Sequence, residues 1–126
     1  MNTTAITGNV TRDPELRYLE GGAATCTFGI AVERRWQDKN GVWQEATSFF
    51  DVVTWREQAE NVAETLKRGS RVIVAGRMEQ RTWTDNETGK VRSKVEIVAD
   101  EVGPSLRFAA TTPAPSAEPA YSGEPF

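Results

Sequence analysis

Histidine is missing from all 126 residues, and cysteine occurs once, at Cys26. The first absence removes the commonest general base and the commonest zinc ligand. One thiol without an imidazole builds neither a Cys–His nucleophile pair nor a thiolate zinc cage. One thiol also cannot form a disulfide within the chain, which fits a reducing compartment. No charged-then-apolar stretch opens the chain and no run of eighteen apolar residues interrupts it. Neither a signal peptide nor a membrane-spanning helix is therefore expected, and the expected location is the cytoplasm, with no membrane partner. Eighteen acids are present, but no pair of them stands isolated in an apolar run, the setting that raises a carboxyl pKa for acid catalysis. The expectation is a chain with no enzyme activity, no metal and no cofactor.

What is present reads as one small globular domain. Hydrophobic residues make up 38% and charged residues 26%, enough for a single core. Thr3 to Val10 is short and β-branched, with Gly8 marking a bulge or bend. Asp13-Pro14 and Gly21-Gly22 are turn signals. From Ala24 the chain alternates, with Ala24, Cys26, Phe28, Ile30 and Val32 on one face, as in a strand with one buried side. The strand runs into Arg34-Arg35-Trp36. Asp38-Lys39-Asn40-Gly41 supplies hairpin chemistry, and a third strand follows from Trp43 to Thr54.

Ala59, Val62, Ala63 and Leu66 recur at helical spacing. Thr54 to Glu57 has the form of a capping box, and Lys67-Arg68-Gly69 suits a helix C-terminus. A fourth strand is predicted over Arg71–Met78, extending to Trp83, and a fifth over Val91–Ala99 after the loop Asp85–Gly89. Val91, Val95 and Ile97 share one face of that last strand, with Arg92, Lys94 and Glu96 on the other. Three strands, one helix and two strands fit an all-β OB-fold: a five-stranded barrel with long β-hairpins and the helix between strands three and four. An open α+β sheet gives the same order. Residues 1–108 form the expected domain. Residues 109–126 hold four of the six prolines and five alanines, and read as a disordered Pro/Ala-rich tail.

The net charge is −3, but its distribution matters more than its sum. Arg77, Arg81, Lys90, Arg92 and Lys94 face only Glu79, Asp85 and Glu87 within their stretch, while Glu57, Glu60 and Glu64 lie together without a base. A basic face on a mildly acidic protein is compatible with this segregation. Four tryptophans punctuate the chain at strand ends and hairpin tips: Trp36, Trp43, Trp55 and Trp83. Rings interleaved with arginines suit base stacking beside phosphate contacts; packing at a barrel rim is the competing use of the same residues. Trp43, next to a turn, reads as a cover for the hairpin. Phe49 and Phe50 point to opposite faces, so one belongs to the core. Cys26 reads as an inert buried thiol.

Several stretches together resemble the bacterial single-stranded DNA-binding protein family. They are Gly8-Asn9-Val10 with Asp13 to Tyr18, Phe28 to Val32, Trp55 to Ala63, Lys67 to Val72, Gly76-Arg77 and Arg81 to Asp85. The likeness covers about residues 3–107 and keeps the family's order and spacing. It implies an OB-fold, a homotetramer, and sequence-independent binding and protection of single-stranded DNA in replication, recombination or repair. It carries the stacking aromatics onto Trp36, Phe49, Trp55 and Trp83, with Phe49 a weaker stacker than the tryptophan relatives more often place there. Phosphate contacts are expected from Arg34, Arg35, Lys39, Arg56, Arg81, Arg92 and Lys94, while Glu57 and Glu79 stand where some relatives carry a base. The family's long linker is very short here, and its acidic tip is reduced to Glu124, Pro125 and Phe126. Weak recruitment of replication and repair proteins is the resulting expectation, as in shorter, specialised second copies. The alternatives are an RNA-binding OB module, a primosome-type protein-interaction subunit whose barrel docks partners, and a nuclease on the same fold.

Overall fold

A computed structural model describes residues 1–108. The strands are β1 (Thr4–Val10), β2 (Glu15–Tyr18), β3 (Ala24–Gln37), β4 (Trp43–Trp55), β5 (Arg71–Thr84) and β6 (Val91–Pro104), and one helix, α1 (Arg56–Thr65), joins β4 to β5. The tail and the tip residues Glu124, Pro125 and Phe126 lie outside the described residues.

The strands pair in the order β1-β5-β6-β4-β3-β2, and β1 also pairs β3. That last pairing closes five strands into the expected OB barrel, with β2 an extra strand on the edge of β3. All pairings are antiparallel except β4 with β6. Closure rests on two residue pairs, Asn9 with Ala31 and Val10 with Ile30. Gly8 makes it possible: a Cβ there would sit 2.1 Å from the carbonyl oxygen of Ala31. The register of β1 with β5 runs through Gly8 without a shift, so this glycine serves close approach and not a bulge. The bulge lies instead at Ala75/Gly76, where a Cβ on Gly76 would meet the Val98 carbonyl oxygen at 2.1 Å.

The core follows the alternation. Cys26, Phe28 and Ile30 of β3 are fully buried, with Val52 on the adjacent β4 and Val72, Val74 and Ile97 on β5 and β6. The helical stripe Ala59, Val62 and Leu66 joins the same cluster, and Ala63 packs against it half-buried. The capping box does not form. The Thr54 hydroxyl is buried and donates to the Cys26 carbonyl at 2.9 Å, and the N-cap residue Trp55 makes no side-chain cap bond. The helix C-terminus also differs. It ends at Thr65 with Leu66 as the cap and no cation in its last turn, so Gly69 takes its positive φ in the turn beyond.

The hairpins are long enough to leave the barrel. Ile97 is 1% exposed, but Val95 and Val91 on the same face of β6 are 52% and 70% exposed. Beyond the closed section no described element covers them. No described helix is long and apolar enough to cross a membrane.

Candidate nucleic-acid interface

β4 carries the centre of the site. Its inward residues Val52 and Phe50 pair with Phe28 and Ile30, so Asp51, Phe49 and Trp55 face outward. Phe50 packs on the core while Phe49 is 71% exposed. Trp55 stands at the corner where the strand gives way to α1. The next residue, Arg56, is held at φ +59°, the left-handed region that non-glycine residues seldom adopt outside turns and functional sites. That sharp reversal leaves the indole of Trp55 partly in solvent.

The β5–β6 hairpin supplies the second part of the same outer face. Arg81 pairs with Lys94 and Trp83 with Arg92 across the ladder. The Arg81 guanidinium lies 5.2 Å from the centre of the Trp83 ring. An ion cluster ties this hairpin to β4: Asp51 accepts from Lys94 at 2.5 Å and from Arg12 at 3.1 Å. Burial alone would push the Asp51 carboxyl up, but Lys94 and Arg12 outweigh it and hold it below its ordinary value. Because the folded value is depressed, the stability it contributes is complete above about pH 4, the unfolded value. It is lost as pH falls through the folded value. Urea unfolding from pH 7 to pH 2 checks this: the stability gap between wild type and Asp51→Asn is expected to narrow below about pH 4.

Most of the predicted phosphate-contacting cations already have acidic neighbours. Arg35 is 3.4 Å from Glu45, Arg81 is 4.0 Å from Glu96, and Arg92 is 2.9 Å from Asp85. The backbone N–H of Glu87 and then Arg92 hold the Asp85 carboxyl below its ordinary value. These pairs orient the cations, and Arg35, Arg81 and Arg92 each keep more than half of the side chain open to a phosphate. Arg34, Lys39 and Arg56 have no acidic partner among the described residues. Lys39 sits in the β3–β4 turn.

The face is not shared by every predicted residue. Trp36 pairs with Gln44 and so lies on the reverse side of the β3–β4 ribbon, 5.6 Å from the Arg34 guanidinium. Trp36, Trp55 and Trp83 are 43%, 42% and 40% exposed; none is sealed in the barrel.

The structure also gathers residues that the sequence reading passed over. Beside Phe49 opens a groove of about 1410 Å³ lined by four cations, Arg35, Lys67, Arg71 and Arg107, against one acid, Glu33. It is a positive groove on a chain of net charge −3. Lys67 and Arg71 flank the turn into β5, the β5–β6 pairing brings Arg107 beside them, and β1, paired with both β3 and β5, sets the three beside Arg35. Arg12 belongs to the site through Asp51, with no signal in its own neighbourhood. Among the described residues no group of acids and thiols is arranged to hold a metal ion.

The sequence model of the Single-strand binding protein family matches residues 1–105. The chain is 49% identical over 109 residues to a protein named single-stranded DNA-binding protein from Mycolicibacterium smegmatis, covering 85% of this chain and 66% of that one. Proteins of the same name from Mycobacterium leprae and Corynebacterium glutamicum are 49% and 47% identical, with 64% and 47% of their lengths covered. The chain thus spans less than two thirds of the length of these relatives.

Proposed function

We propose, from the premise that this chain belongs to the single-strand binding protein family, that it binds and protects single-stranded DNA without reading its sequence. The observation that carries the proposal is the outer face just described. Exposed rings and orientable cations alternate there, beside a groove with an excess of positive charge. Every base has a π-face, so rings of this kind gain affinity without selecting a base. Phe49, Trp55 and Trp83 stack bases on one side of the barrel, and Trp36 takes a base on the reverse of the ribbon. Arg34, Arg35, Lys39, Arg56, Arg81, Arg92 and Lys94 track phosphates, releasing counterions as they do.

On this reading the barrel, residues 1–108, is the binding domain, and it performs no catalysis. The working form is a homotetramer in the cytoplasm, serving replication, recombination or repair. Glu124, Pro125 and Phe126 recruit partner proteins weakly, since this segment carries a single acid. The test is a titration with oligo-dT at rising salt. Each phosphate neutralised on a single strand adds about −0.7 to the slope of log affinity against log salt. A slope steeper than about −2, three or more contacts, is expected. A slope near zero, or tighter binding to oligo-U than to oligo-dT, overturns the proposal.

A further inference from the structure

We propose that Trp43 is an additional stacking platform that lengthens the DNA track to the tip of the β3–β4 ribbon. The inference rests on the single-stranded DNA reading above and adds a subsite to it.

β4 presents aromatic rings at positions 43, 49 and 55. The interval is six each time, an even number, so all three fall on the same face of the strand. Their partners on β3 are Gln37, Ala31 and Thr25. All three rings are exposed: Trp43 to 59%, Phe49 to 71% and Trp55 to 42%. Trp43 is the most exposed of the four tryptophans. Six residues of strand span roughly 20 Å, so Trp43 stands about as far beyond Phe49 as Trp55 does on the other side.

Trp43 is built like the stacking candidates. The Arg35 guanidinium lies 5.4 Å from its ring centre, and Glu45, directly opposite Arg35 in the ladder, holds that guanidinium at 3.4 Å. The same Arg–Trp pairing occurs at Trp36 and Trp83, at 5.6 Å and 5.2 Å. A cation against the ring leaves a flat aromatic surface with a phosphate-seeking charge beside it.

A cover for the turn is what the sequence suggested for this ring, and the turn has no need of one. The Asp38 carboxylate accepts from the backbone N–H of Asn40 at 2.9 Å, of Val42 at 3.0 Å and from the Gln44 amide at 3.0 Å. Backbone bonds close the turn from the Asp38 N–H to the Val42 carbonyl and from the Gly41 N–H to the Asp38 carbonyl. The turn is closed without the indole, which stays 59% exposed.

A ring at the outer end of the track engages only strands long enough to reach it. Short strands occupy the barrel, over Phe49, Trp55 and Trp83, and do not sense Trp43. The experiment measures the affinity of the full chain, Trp43→Ala and Trp43→Phe for a length series of oligo-dT. The series starts at roughly 4 nucleotides, the lower end of OB-fold sites, and runs well past roughly 16. Trp43→Ala is expected to lose about 5- to 150-fold in affinity for the long strands, with the short strands unchanged and Trp43→Phe retaining most of the binding. An unchanged affinity at every length overturns the proposal. So does an equal loss at every length that phenylalanine fails to rescue, which marks a disturbed hairpin. Failure of the wild type to bind oligo-dT at any length overturns the DNA reading itself, an outcome distinct from either.

Discussion

Replacing Trp55 and Trp83 together by alanine is expected to weaken oligo-dT binding by about 2–6 kcal/mol, the sum of two stacking contacts at 1–3 kcal/mol each. The two rings reach the outer face from different elements, the end of β4 and the β5–β6 hairpin, so their losses add as independent sites do. Neither ring sits among the buried residues of the barrel core, and circular dichroism of the double variant should report an intact β-barrel. The comparison to make is with Arg81→Ala. That change removes one phosphate contact and the cation beside Trp83 but keeps both rings, so its affinity loss should be largest at low salt and shrink as salt rises, with the salt slope shallower by about 0.7. A double variant that folds and binds oligo-dT as the wild type does removes stacking from the account.

The largest effect on stability belongs to Phe28→Ala. Phe28 is fully buried, pairs with Val52 on the adjacent strand β4 and belongs to the cluster that includes Ile30, Ile97 and the α1 stripe. Deleting a buried phenyl ring costs about 3–5 kcal/mol, the transfer term plus the cavity left behind. Small domains are stable by only about 5–15 kcal/mol, so the variant is expected to unfold at much lower urea concentration. Phe49→Ala is the control: that ring is 71% exposed, and surface changes of this kind lie within about 0.5 kcal/mol. Two phenylalanines on strands paired in one ladder thus separate folding from binding. Equal destabilisation by both changes contradicts the assignment of Phe49 to the outer face.

Why the barrel was readable in the sequence and parts of its surface were not comes down to the range of the signals. Alternation along Ala24 to Val32 and along Arg71 to Gly76 is local, and the structure buries the faces that pattern indicates. The α1 stripe is equally local. β2 escaped because four residues, Glu15 to Tyr18, with only Leu16 packed on the core, are too few to show a period. The capping box failed because Thr54 is the last inward residue of β4, and a buried hydroxyl spends its hydrogen bond on the Cys26 carbonyl of the paired strand. Val91 and Val95 follow the right period on a strand that has outrun its core.

The candidate interface shows the same division. Exposed tryptophans beside arginines were legible, because Arg34 with Trp36 and Arg81 with Trp83 lie two residues apart and so share a face. Arg35 reaches Trp43 diagonally across two strands, and nothing in the linear sequence marks that contact. Arg12 with Asp51 and Lys94, and the groove that sets Arg35 beside Arg71 and Arg107, join segments far apart in the chain. Their electrostatics exist only once the strands have paired.

One optical experiment addresses the rings directly. The full chain carries four tryptophans, all at least 40% exposed, and a base laid flat on an indole quenches its emission. In the oligo-dT titration, intrinsic fluorescence is predicted to fall strongly to a plateau at saturation and to recover as added salt releases the strand. Emission that stays constant while polarisation of a labelled oligo-dT reports full binding would contradict stacking and leave the outer face without its assigned role.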